Sequence, residues 1–241
     1  LLHLTDNSKV KFYSEHCNTV GFNPGLPQNG GTCPGATSEK GGCLALKKVG
    51  GKQLTCYMDN IIKAYKDVGK WLLFNTELLA GKSFDELFAI FDSTIVSFIK
   101  KDKGRAPYFR LCYSGDIKTE VEAKAWAAVI NKYSEVKFWV YTRSFFAVPI
   151  LAECKNLALY ISADPVNYQE AQKLSDKYSH YNNVGIAFMG NNPPISKRWI
   201  ACPEITGKVK NKPKLGACAQ CKLCLTYSDK IKLRNIQFRI H

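Results

Sequence analysis

Between Pro107 and Gly190 the chain repeats one rhythm: a short apolar run, a polar exit, then an amphipathic stretch. "PYFRLCYSGD", "EVKFWVYTRS", "NLALYISAD" and "NNVGIAFMG" read as strands. "KTEVEAKAWAAVINKY", "VPILAEC" and "VNYQEAQKLSDKYSH" read as the helices between them. Parallel neighbours in a sheet need a long crossover, so strand–helix alternation predicts an α/β fold with a parallel sheet. These strands are apolar at successive positions rather than at alternate ones, as expected where both faces of a sheet are covered.

A helical lead-in precedes this core. "MDNIIKAYKDVGKWLLFNTELLAGKSFDELFAIFDSTIVSFIKK" carries apolar residues at helical spacing and predicts helices over 59–79 and 83–101. Ser83 followed by Glu86 is a capping-box pattern. Before it, residues 17–57 are rich in Gly and Pro, which break regular elements, yet hold four cysteines. A long loop of this kind needs a staple to stay ordered. The chain therefore divides into a cysteine-rich Gly/Pro segment (1–57), a lead-in with the β/α core (58–200), and a basic cysteine-bearing tail (201–241).

In parallel α/β folds, ligands bind at the carboxyl ends of the strands. The residues at those exits are polar: Ser114, Gly115 and Asp116; Tyr141, Thr142, Arg143 and Ser144; Ser162 and Asp164; then Asn191. If the strands are neighbours, Asp116, Arg143 and Asp164 converge on one rim and are the candidates for chemistry. Asp and Ser also cap the helices that follow strands, which is the plainer reading of Asp164 ahead of Pro165. The usual phosphate-binding glycine patterns and the His-Glu-x-x-His metal pattern are missing, and none of the four histidines stands in a recognisable hydrolase arrangement.

Ten cysteines are many for 241 residues. Cys218, Cys221 and Cys224 follow C-x2-C-x2-C spacing, and Cys202 precedes a proline. Successive x2 steps wrap a chain around one corner of a cube, as in ferredoxins that add a remote Cys-Pro. Structural zinc more often draws two separate pairs. The rear set thus favours an iron–sulfur cluster of the 4Fe–4S type, with zinc as the alternative. A front set of Cys33, Cys43 and Cys56 is more loosely spaced; three ligands would leave one iron open, whereas Cys17 as a fourth would close the site. Cys112 and Cys154 read as ordinary buried thiols.

The formal net charge is +14, and between Ile205 and Ile240 nine basic residues face one acid, Asp229. Such a tail favours polyanions, nucleic acid before membrane surfaces. No apolar run is long enough to span a bilayer, and no export signal opens the chain.

"GGTCPGAT", "CYM", "FRLCYSGDI", "FWVYTRSF", "ISAD", "CPEITGK", "CAQCKLC" and "IQFRIH" stand in the order found in the phage "gene product 88" domain family, which the chain resembles over nearly its whole length. That family is in turn similar to radical S-adenosylmethionine enzymes. The resemblance implies a partial parallel β/α barrel with cysteine-rich loop segments at both ends. It also implies Cys33, Cys43 and Cys56 as a front group, Ser114, Gly115 and Asp116 as one strand-end motif, and Thr142, Arg143 and Ser144 as a second. Cys202, Cys218, Cys221 and Cys224 form the rear group. The expected protein is a cytoplasmic, phage-borne iron–sulfur enzyme that uses S-adenosylmethionine at the open iron and acts on a nucleic acid or nucleotide. The rival is a non-enzymatic nucleic-acid-binding or virion-associated protein stapled by zinc or iron–sulfur. The chain departs from radical enzymes in lacking their tight C-x3-C-x2-C.

Overall fold

A computed structural model describes residues 1–36, 56–190 and 199–238. Eight strands form one sheet: β1 (Leu4–Thr5), β2 (Thr19–Val20), β3 (Tyr108–Arg110), β4 (Lys137–Thr142), β5 (Leu157–Ala163), β6 (Val184–Met189), β7 (Trp199–Ala201) and β8 (Asn235–Phe238). Their order is β1-β2-β3-β4-β5-β6-β8-β7. Among the described residues only the β1–β2 pair of strands is antiparallel. The parallel α/β core is as the alternation predicts, and the tail adds β8 between β6 and β7.

The helices are α1 (Tyr57–Ala64), α2 (Lys66–Leu79), α3 (Phe84–Lys101), α4 (Glu120–Lys132), α5 (Val148–Leu151), α6 (Tyr168–Lys177) and α7 (Ala217–Cys221). The helix expected over 59–79 is broken at Tyr65, whose backbone leaves the helical region at φ −128°, ψ 86°. Gly69 lets α2 close against α1, because a Cβ there would lie 2.9 Å from Ile62 Cγ2. The capping box at the start of α3 is complete: Ser83 accepts from Glu86 N–H, and Glu86 accepts from Ser83 N–H. Thr119 caps α4 in the same way from its hydroxyl.

Side chains alternate across each strand, and the two sets meet different covers. Phe109, Phe138, Val140, Leu157, Leu159, Ile161, Val184, Ile186 and Phe188 face the main core with Phe91, Phe98, Trp126, Val129 and Leu151 from α3, α4 and α5. Phe91 stacks on Trp126 at 3.9 Å between ring centres. Trp139, Ala158, Tyr160, Ala187 and Ile236 form a second core, against which Tyr141, Cys202, Cys218, Leu223 and Cys224 pack. Helices from the middle of the chain thus cover one face, and the tail covers the other. Two buried asparagines tie the strand entrances: Asn156 Nδ2 donates to the carbonyls of Ile130, Tyr133 and Val136, and Asn183 Nδ2 to those of Ala152, Cys154 and Leu157. Among the described residues no helix is long and apolar enough to cross a membrane.

Candidate functional site

The carboxyl ends of β3, β4 and β5 lie side by side, and their polar exits form one connected network. Asp116 is its centre. Its Oδ1 accepts from Thr142 Oγ1 at 2.7 Å and from Ile117 N–H at 2.8 Å, and its Oδ2 accepts from Arg143 N–H at 2.7 Å. Arg143 Nη1 in turn donates to Asp164 Oδ2 at 2.5 Å. Asp164 Oδ1 accepts from Val166 N–H at 2.8 Å, so this side chain both caps the turn and pairs the arginine. Ser144 Oγ donates to the Ile117 carbonyl at 2.6 Å, and Ser114 Oγ to that of Phe22 at 2.9 Å. Burial pushes the Asp116 carboxyl up, and the hydrogen bonds from Thr142 and Arg143 restrain that rise.

The segment carrying Cys33 sits on this network. Thr32 Oγ1 accepts from Asp116 N–H at 3.1 Å. Gly115 has φ +71°, and a Cβ there would lie 2.3 Å from Thr32 Oγ1, so only glycine allows the approach. Cys56 immediately precedes α1, and the neighbouring Tyr57 hydroxyl donates to the Tyr113 carbonyl. Cys33 and Cys56 therefore approach the same end of the sheet, while Cys43 lies outside the described residues. Cys17 does not join them: it precedes β2, its N–H donates to Asp6 Oδ1 at 2.7 Å, and it lies at the opposite, amino-terminal end of the strands. The short strand between Cys17 and Cys33 separates them, which spacing alone does not reveal.

A cleft of about 190 Å³ opens beside the rim, lined by Asp116, Glu122, Thr32, Lys82 and Lys118 among others. Glu122 was not among the residues that the sequence singles out, since an acid in the first turn of an amphipathic helix looks like a dipole partner. It is buried, accepts from Lys118 N–H at 2.7 Å, and burial raises its pKa.

The rear cysteines behave differently from the front ones. Cys218 and Cys221 stand three apart on α7, hence on one helix face. Lys222, left-handed at φ 58°, ends the helix and turns the chain so that Cys224 follows. Cys202 arrives just beyond β7, its N–H on the Gln237 carbonyl at 2.9 Å. All four line one small pocket, together with Pro203, Glu204, Leu223 and Ile236. Behind it, Tyr141 and Tyr160 share the second core with Cys224, and the Tyr160 hydroxyl donates to the Arg234 carbonyl at 3.1 Å. Burial pushes the Cys218 thiol up to about 11 and that of Cys224 up to about 12. Among the described residues no group of three His, Cys, Asp or Glu side chains is drawn together tightly enough to hold a metal ion.

A mostly parallel α/β sheet, a hydrogen-bonded polar rim at its carboxyl end and a four-cysteine pocket on its tail-covered face define the class of protein. The family model described as Gene product 88 matches residues 3–227, and the chain belongs to that family. It is 34% identical over 208 residues to the Gene 88 protein of Mycobacterium phage D29, covering 83% of this chain and 81% of the relative. It is 33% identical over 207 residues to the Gene 88 protein of Mycobacterium phage L5, with the same coverage. No solved structure matches the chain. The gene product 88 resemblance is thus carried by the comparisons, and the further likeness to radical S-adenosylmethionine enzymes is not.

Proposed function

We propose that this phage-type protein is an iron–sulfur protein whose cluster is held by Cys202, Cys218, Cys221 and Cys224. The observation that carries the reading is the shared pocket: four thiols from two separate stretches of the tail line one cavity. Two orphaned polar atoms lie towards the same face, since Arg110 Nε and Tyr227 Oη are buried without a hydrogen-bond partner among the described residues. The donor set is all thiol, which suits iron–sulfur clusters and zinc alike. The C-x2-C-x2-C spacing with a remote Cys-Pro favours the cluster. One zinc draws four sulfurs to about 2.3 Å from a single point, whereas a cubane offers each thiolate its own iron. Bound there, a cluster would supply one-electron chemistry or a covalent staple for the tail.

The front of the molecule supports a second site under the same proposal. Cys33 and Cys56 approach the rim where Asp116, Arg143 and Asp164 converge, and Cys43, outside the described residues, would be the third thiol of that set. Such a set would leave one iron open to S-adenosylmethionine, with the rim orienting cofactor or substrate. Helices α3 to α5 wind on one side of the sheet, as a partial β/α barrel requires. The exposed Lys208, Lys210, Lys212 and Lys214 would hold the phosphates of a nucleic acid or nucleotide.

The test is purification without oxygen, followed by iron, sulfide and zinc per chain and an absorption spectrum. About four irons with broad absorption near about 400 nm is the expected result for the rear set, and about eight for both sets. Cys218→Ser should remove the rear complement alone. Zinc without iron would overturn the proposal and leave a zinc-stapled protein.

A further inference from the structure

Arg110 is the last residue of β3 and pairs in register with Trp139, so its side chain shares the tail-covered face of the sheet. Its guanidinium carbon lies 5.5 Å from the centre of the Tyr141 ring. The Tyr141 hydroxyl reaches Cys224, and the Arg110 charge bears on Cys218. Yet, among the described residues, Nε is buried with no hydrogen-bond partner and the guanidinium makes no ion pair. The one carboxylate lining the cysteine pocket, Glu204, is taken by Lys9 Nζ at 2.7 Å. A guanidinium half sunk beside a pocket without an anion is costly unless something supplies the charge.

We propose that Arg110 is a positioning residue of the rear centre: its fixed positive charge offsets the negative charge of a four-thiolate cluster in the adjoining pocket and raises that cluster's reduction potential. The inference rests on the iron–sulfur reading of Cys202, Cys218, Cys221 and Cys224. Reduction adds one electron to an already anionic centre, and a nearby cation favours the more negative state. Tyr141 holds the geometry by carrying the guanidinium over its ring while its hydroxyl reaches Cys224. Lys9 cannot replace Arg110, because Glu204 already neutralises it.

The experiment is a dye-mediated redox titration of the anaerobically purified full chain, with iron and sulfide measured first on every sample. Arg110→Gln should retain iron, sulfide and far-ultraviolet circular dichroism. It should shift the one-electron equilibrium about tenfold towards the oxidised state, a fall of about 59 mV. Arg110→Lys should restore the wild-type potential, which a purely steric role for the arginine would not predict. Should Arg110→Gln fail to fold, Arg110→Met keeps the stem over Tyr141 and should give the same fall. A neutral variant with full iron and an unchanged potential overturns the inference while leaving the cluster in place. A wild-type chain that holds no iron overturns the reading beneath it, and the metal analysis tells the two apart.

Discussion

Removing the Arg143 charge should destabilise the protein strongly, because its partner cannot escape to water. Asp164 is 0% exposed and the Arg143 side chain 11%, with the pair closed at 2.5 Å. At about 4 Å between charge centres and an effective dielectric of about 20, their attraction is about 4 kcal/mol. Breaking a buried pair by deleting one partner typically costs about 3–5 kcal/mol, since the remaining charge stays desolvated. Arg143→Met should fall at about 3 kcal/mol, the lower end, because Asp164 keeps hydrogen bonds from Val166 and Asn167 N–H. Asp164→Asn retains one capping oxygen but strands the guanidinium, and should cost a similar amount. The double variant replaces the pair by two neutral groups and should cost no more than either single variant, a coupling of about 3 kcal/mol. Urea denaturation at neutral pH, with the four proteins compared in one cycle, measures all three quantities. A loss below about 1 kcal/mol for Arg143→Met would refute the reasoning. The arginine would then be a rim group kept for a ligand, with no part in holding β4 to β5.

Three further outcomes follow from other parts of the structure. Gly35→Ala should cost about 1–3 kcal/mol in the same denaturation assay, because the new Cβ would lie 2.3 Å from the Arg143 carbonyl oxygen and must push the Cys33 segment off the rim. Phe91→Ala should cost about 3–5 kcal/mol, since it leaves Trp126 without its stacked neighbour in a fully buried site; a loss under about 1 kcal/mol would show that the helix layer collapses freely. Lys82 and the Ser83 hydrogen bonds lower Glu86 from 4.5 to about 2. The stability this carboxylate contributes is therefore full above pH 4.5 and lost as pH falls through about 2. Glu86→Gln should flatten that part of an acid-unfolding curve, and an unchanged acid limb would count against the capping box as its source.

The sequence exposes the elements whose signals are local. Strands β4, β5 and β6 are apolar on both faces, and both covers exist: Phe138 and Val140 meet the helices, while Trp139 meets the tail. Ser83 and Thr119 cap the helices that their positions suggest. What stays hidden is pairing between distant segments. β1 and β2 are two residues each, too short for any periodicity, and their register is set by β3 and by Asn18 and Asn75 bridging the first turns. Nor does any local pattern say that β8 enters between β6 and β7, since that order depends on which edge the tail reaches after crossing the sheet face. The rim could be anticipated because strand exits in a parallel sheet share one end. Its internal wiring could not, because Asp116 bonds a hydroxyl and a backbone N–H twenty-six and twenty-seven residues away.

The rear cysteines show the same division between local and distant information, and it bears on the metal centre proposed there. Three of them are fixed by a helix of five residues and a left-handed turn, both written into an eight-residue stretch. The fourth comes from beyond β7, and only the packed sheet brings it close. The tail between Cys202 and Leu233 has one short helix and two isolated bridges, so it has little regular secondary structure of its own. It nevertheless has to cover Trp139, Ala158 and Tyr160 on the sheet. A helix layer would do this by burying a long apolar stripe, which a lysine-rich segment lacks. Four thiols converging on one pocket offer another means: bonds to a shared centre would pin the loop at both ends and couple its folding to the metal. On that view the cysteines of the tail and the Arg110 charge are parts of one device, the thiolates supplying negative charge inside and Arg110 balancing it from the sheet side.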